Sequence, residues 1–110
     1  MMRLAMSAAA RGLLRALIAR SGADENRILL TEWTSVDWQS LTFIGERHEA
    51  RMRICGPDAD AILAKIIADL DDADFKIPGH VLADIAVTEN ESDSDGSRML
   101  LIEALTLRDD

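Results

Sequence analysis

Residues Trp38–Ile54, WQSLTFIGERHEARMRI, carry the strongest fold signal in this chain. Successive side chains of a β-strand point to opposite faces, so residues of one parity share a face. Before the turn the apolar side chains are the odd-numbered Leu41 and Phe43; after it they are the even-numbered Ala50, Met52 and Ile54, which alternate with the odd-numbered Arg47, Glu49, Arg51 and Arg53. The stretch predicts a β-hairpin with one dry face and one charged face, turning over residues 44–48 around Gly45.

The segment before this turn is expected to be one long strand that contains a bulge. Ile28 and Leu30 have even numbers, whereas Trp33 shares the odd parity of Phe43. Either a bulge or a turn must therefore intervene, and one long bulged strand is favoured over two short strands. The first hairpin is therefore predicted over residues 27–55.

Helices are predicted on both sides of the first hairpin. Residues 1–22 contain apolar side chains at helical spacing and four arginines, which predicts a basic amphipathic helix from about residue 3 to 20. A second helix is expected over 57–70, and a second hairpin over 80–108. The order αββαββ predicts one α+β domain over 1–110, a two-layer sandwich with two helices and a four-stranded, mainly antiparallel sheet.

The last predicted strand is apolar on both faces. Met99, Leu101, Leu105 and Leu107 share one parity, and Leu100, Ile102 and Ala104 share the other. Such a strand needs both of its faces covered. We expect the second face to meet another subunit, another protein or the first helix. The predicted interaction residues are Met99, Leu101, Leu105, Leu107, Arg51 and Arg53.

Charge and cysteine content exclude several classes of protein. The formal net charge is −8, which argues against nucleic acid as a partner. The lone Cys55 cannot close an intrachain disulfide, and no apolar run reaches the length of a membrane span. A cytoplasmic location is predicted, and membrane binding is disfavoured, although the basic first helix leaves peripheral membrane association as an alternative.

Four titratable residues are candidates for catalysis. Asp84 and Glu103 lie in mid-strand, where paired carboxylates can act as acid and base, and cross-strand ion pairs with the arginines are the alternative. His48 and His80 can approach each other only if the second and third strands are neighbours. Neither histidine belongs to a metal motif, so the sequence predicts no metal site and no cofactor.

Three segments carry a resemblance to known proteins. LTFIGERHEARMRI, PGHVLADIAV and IEALTLRD resemble small bacterial proteins of uncharacterised function that have the same order of elements. The resemblance covers residues 28–108. It implies the α+β fold and supplies no activity, cofactor or site.

The sequence favours a non-enzymatic interaction domain that forms homo-oligomers, such as a homodimer, or binds another protein. A small enzyme or ligand-binding domain that uses Asp84, Glu103 and a histidine is the alternative, so enzymatic activity stays an open question. A partner is expected at the boundary between the arginine-rich and leucine-rich parts of the sheet.

Overall fold

A computed structural model describes residues 6–109. The helices are α1 (Ala8–Ser21) and α2 (Ala59–Ile67), and the strands are β1 (Ile28–Gln39), β2 (Ile44–Ile54), β3 (His80–Ser92) and β4 (Arg98–Arg108). All neighbouring strands are antiparallel, in the order β1-β2-β4-β3. The predicted α+β class, the element order and the four-stranded sheet are confirmed.

Helix α1 has a specific cap at each end. The Ser7 hydroxyl accepts a hydrogen bond from the amide of Ala10, and Gly22 takes a left-handed conformation with φ of 69°. The Ser7 hydroxyl also donates to Glu46 at 2.5 Å, which ties the start of α1 to β2. The predicted start near residue 3 lies outside the described residues, and the helix described here begins at Ala8.

Both helices pack on one face of the sheet. The core joins Leu13, Leu17, Ile62, Leu63 and Ile66 of the helices to Met52, Ile54, Ile85, Leu100 and Ile102 of the strands. The apolar side of α1 is buried in this core, where Leu13 and Leu17 are almost fully covered. The first helix therefore does not fold across the second face of its own sheet.

The predicted bulge in β1 is confirmed, but the predicted turn is misplaced. The register shifts between Leu30 and Glu32, which brings Leu30 and Trp33 to the same face. The turn lies between Gln39 and Ile44, so Gly45 is a strand residue and Phe43 leaves the dry face. Gly45 is required by packing, because a Cβ at this position would overlap the carbonyl oxygen of Thr106.

The second hairpin spans residues 80–108, the range predicted for it. Strand β3 runs to Ser92, so the loop before β4 is short, residues 93–97. Two register shifts, between Leu82 and Asp84 and between Val87 and Glu89, bend this strand. Strand β4 lies between β2 and β3, so the second and third strands are not neighbours.

Candidate protein interface

The face of the sheet away from the two helices is called the open face. Strands β2 and β4 contribute the side chains of Arg47, Glu49, Arg51, Arg53, Met99, Leu101, Glu103, Leu105 and Leu107 to it. Strands β1 and β3 add, among others, Glu32, Thr34, Val36, Asp84, Ala86 and Glu89. The open face therefore combines an arginine-rich strand, a leucine-rich strand and acidic edges.

Arginine side chains of β2 lie across the apolar side chains of β4. Arg51 contacts Glu32 on β1, with Nε 3.5 Å from its carboxylate, and Glu89 on β3, with Nη1 at 3.3 Å. Leu101 lies between Arg51 and Glu89 in the register, so the arginine passes over it. Leu101 is only 8% exposed, although no helix covers this face. The aliphatic stem of Arg51 shields the leucine while the guanidinium remains at the surface.

Arg53, in the next row of the open face, lies over Met99 in a similar way. Its Nη2 lies 2.9 Å from Asp93 and 3.2 Å from Asp95 in the second hairpin loop, and Nη1 contacts the Met99 sulfur at 3.7 Å. The hydrogen bond to Asp93 raises the pKa of Arg53. Hydrogen bonds from the Ser97 hydroxyl and amide, aided by Arg53, lower the pKa of Asp95 to about 2. The acidic loop is thereby fixed to the open face.

These contacts cover apolar side chains that were predicted to form an interface. Leu101 and Leu105 are buried within the subunit, and Met99 and Leu107 are half-buried. The physical reason is the length of the arginine side chains, which cover one strand and reach the next. The four apolar residues form the floor of the open face, and its exposed groups are mostly charged.

The candidate catalytic carboxylates do not form an acid–base cleft. Asp84 and Glu103 are exposed on the open face, where Asp84 is opposite Leu105 and Glu103 is opposite Glu49. Within residues 6–109 neither carboxylate lies within 4 Å of a cation, so the expected cross-strand ion pairs also do not form. Because both lie on the sheet face away from the helices, these two side chains do not form the site that the enzymatic alternative requires.

His48 lies on the opposite face, inside the core. Its side chain is 1% exposed; Nδ1 is 2.8 Å from the Ser35 hydroxyl and Nε2 is 2.9 Å from the Thr106 hydroxyl. The indole of Trp33 meets the ring edge-on and donates to Ser35. Burial lowers the pKa of His48, while Glu46, 3.9 Å away, opposes this shift. The imidazole is therefore a neutral bridge between β1, β2 and β4.

His80 occupies a separate position at the start of β3. Its Nδ1 is 2.9 Å from the carbonyl oxygen of Pro78, and β4 separates its strand from that of His48. His80 lines a groove of about 370 Å³ together with Ser7, Glu46 and Arg108. Within residues 6–109 no three His, Cys, Asp or Glu side chains are grouped to hold a metal ion.

The turn between β1 and β2 exposes a cluster of apolar side chains that the sequence analysis placed elsewhere. This segment, Ser40–Ile44, is called the hairpin tip. The Ser40 amide donates to the carbonyl of Phe43 at 2.9 Å, and the Ser40 hydroxyl accepts from the Phe43 amide at 3.0 Å. Leu41 is fully exposed, and Phe43 and Ile44 are about half exposed. Ser40 was the sequence feature that could have located this turn, since a serine hydroxyl favours such turns.

The structure leaves no apolar side of α1 exposed for the peripheral membrane association considered above. Lipid binding by α1 requires the apolar side of the helix, and that side is buried against the sheet. In the part of the chain that the structure describes, neither helix has the length and hydropathy to cross a membrane.

Fold and surface together define a two-layer α+β protein with one helix-covered and one charged sheet face. No protein-family model matches the chain, and no curated protein matches it. Among solved structures, it is similar to a chain of the virion of a native gene transfer agent particle, with a TM-score of 0.66. The similarity covers 93% of this chain and 99% of that chain at 16% identity, so it shows a shared fold alone.

Proposed function

We propose that this chain is a non-enzymatic structural subunit that joins copies of itself, or another subunit, into a larger protein assembly. The observation that carries the proposal is the hairpin tip. Leu41, Phe43 and Ile44 are held outward by an ordered turn instead of being folded into the core. Large exposed apolar groups concentrated at one site are typical of protein interfaces.

The energetics of the hairpin tip favour binding. Removing a leucine or phenylalanine side chain from water contributes roughly 1.5–3 kcal/mol. The hydrogen bonds of Ser40 already order the turn, so little conformational entropy remains to be lost when a partner covers it. Two such side chains on a rigid turn resemble the few anchors that dominate many interfaces.

The structural similarity supports the same proposal. The similar chain is part of a virion particle, and nearly its whole length is matched. The separation of Asp84 and Glu103 from His48 supports it too, because the enzymatic alternative needs these groups in one cleft.

Replacing both Leu41 and Phe43 by serine tests the proposal. We expect the double variant to need a higher concentration than the unaltered chain to associate in sedimentation velocity. The control is Ile67→Ser, which removes an exposed apolar side chain of α2, away from both the hairpin tip and the open face. Association of unchanged strength in the tip variant, or an equal weakening in the control, contradicts a role for the tip.

A further inference from the structure

Two exposed pairs of like charges lie on opposite sides of the molecule. Arg11 and Arg15 are one helical turn apart on the outer side of α1, and both are exposed. Glu49 and Glu103 are directly opposite each other on β2 and β4, exposed on the open face. The helix layer separates the arginines from the sheet, so the two pairs face away from each other.

Neither pair is neutralised within the subunit. Across residues 6–109, no opposite charge lies within 4 Å of any of the four side chains. The recorded contact of Arg11 is to the Met6 carbonyl, at 3.3 Å. Like charges four residues apart destabilise a helix, and like charges opposite each other destabilise a sheet. Each pair is thus a local cost that an opposite charge from outside would offset.

The spacings of the two pairs match. Side chains four residues apart on a helix have Cβ atoms about 5–6 Å apart. Directly opposed residues on antiparallel strands have Cβ atoms about 4.5–5.5 Å apart. Two guanidinium groups on one helix can therefore meet two carboxylates on the sheet at the same time.

Small side chains flank each pair along the direction in which a helix would lie, while Arg47 and Arg51 occupy the rows on either side of the two glutamates. Thr34 and Ala86 flank the two glutamates in the row across the sheet, which spans roughly 14 Å over four strands. The exposed Ala8 and Ala19 flank the two arginines on α1 and lie about 16 Å apart along its axis. Small side chains at both ends let a helix lie along this row.

We propose that α1 of one copy packs across the open face of a second copy, with Arg11 and Arg15 paired to Glu49 and Glu103. This inference rests on the proposed function and names a second copy of the chain as the partner. The contacting surfaces are different and lie on opposite sides of the subunit, so copies join head to tail into a ring or a continuous stack. The incoming helix supplies the layer that the open face lacks.

Charge reversal in two separate variants tests this contact. The helix variant carries R11E and R15E, and the sheet variant carries E49K and E103K. We expect each variant alone to need an at least about tenfold higher concentration to associate, because like charges then face each other. Mixing the two restores association, since the acidic helix of one variant meets the basic sheet of the other. The quadruple variant associates on its own for the same reason.

The control reverses two carboxylates outside the proposed contact. D71K with D72K changes the charge as much as the sheet variant does, at two exposed positions without an ion pair, and should leave association unchanged. Far-ultraviolet circular dichroism verifies folding. If a reversed variant does not fold, R11Q with R15Q and E49Q with E103Q replace it, each with a smaller loss of association.

Three results overturn the inference. Association that stays unchanged in both double variants excludes this contact and leaves the hairpin tip as the site of assembly. Loss in both that neither mixing nor the quadruple variant restores shows that the charges act elsewhere. A chain without substitutions that is monomeric at every concentration overturns the inference and also removes self-association from the proposed function, leaving only binding of another subunit.

Discussion

At the scale of residues, His48 shows how a titratable group becomes part of a core. The imidazole is buried and hydrogen-bonded at both nitrogens, to Ser35 and Thr106. A hydroxyl beside an imidazole resembles a nucleophile with its base, but Trp33 also donates to Ser35 and no described groove is lined by this serine. The contacts satisfy polar groups and connect three strands.

The free energy of unfolding should depend on pH through His48. Because burial lowers the pKa of His48 from 6.5, the unfolded chain binds a proton more readily than the folded one. Its contribution to stability is therefore complete above pH 6.5 and is lost as the pH falls towards the lowered pKa. Urea unfolding between about pH 7.5 and 5.5 measures this loss.

His48→Gln keeps an amide for hydrogen bonding but cannot be protonated, so its free energy of unfolding should vary less over this range. His80→Gln is the matched control; the charge of His80 is a smaller cause of the lowered His48 pKa than burial, so this variant should keep most of the pH dependence. Equal slopes for the His48 variant and the original chain would show that other groups cause the effect.

Arg51 shows how a charged residue can act through its apolar stem. Its ion pairs with Glu32 and Glu89 are exposed to solvent, so they contribute little to the free energy of unfolding. The stem, in contrast, shields Leu101, which is 8% exposed.

Arg51→Ala is therefore expected to lower the free energy of unfolding by about 1 kcal/mol, because it exposes part of Leu101. Arg51→Met retains an apolar stem of similar length and should stay within about 0.5 kcal/mol of the original. Chemical denaturation of the two variants measures the difference. Equal losses in both would assign the stabilisation to the ion pairs instead.

At the scale of elements, the sequence predicted the strands better than the turn between them. The alternation of Ala50, Met52 and Ile54 predicted the buried face of β2, and the three side chains are buried. Leu41 and Phe43 form a similar alternation before β2, but they lie in the turn, where alternation no longer reports a face. The turn was wrongly predicted around Gly45 because a strand glycine required by close packing cannot be distinguished from a turn glycine by sequence alone.

Gly45→Ala is expected to destabilise the pairing of β2 with β4. The added Cβ would overlap the Thr106 carbonyl oxygen, which belongs to the backbone of the adjacent strand and cannot rotate away. We expect a loss of roughly 1–3 kcal/mol in the free energy of unfolding. Thr42→Ala, in the exposed turn nearby, should remain within about 0.5 kcal/mol. Thermal and urea unfolding compare the two; a neutral Gly45→Ala would show that β2 and β4 can separate here at no cost.

At the scale of the whole molecule, the uneven charge gains a geometric meaning. The first 22 residues carry four arginines and no acid, and the remainder carries eight bases against twenty acids. The fold places the exposed arginines of α1 on one side of a flat subunit, 22 Å in its smallest extent, and the uncompensated glutamates on the other. Stacking such subunits head to tail brings opposite charges together.

The element order, the α+β class and the buried faces could be predicted from the sequence, because hydrophobic periodicity and turn chemistry are local along the chain. It also revealed that β4 is apolar on both faces. Only the tertiary structure decided what covers the second face, since Arg51 and Arg53 reach it from a different strand. The opposition of Glu49 and Glu103 and the exposure of the hairpin tip likewise depend on strand order and register. Those are set by contacts between residues distant in sequence, which no local pattern records.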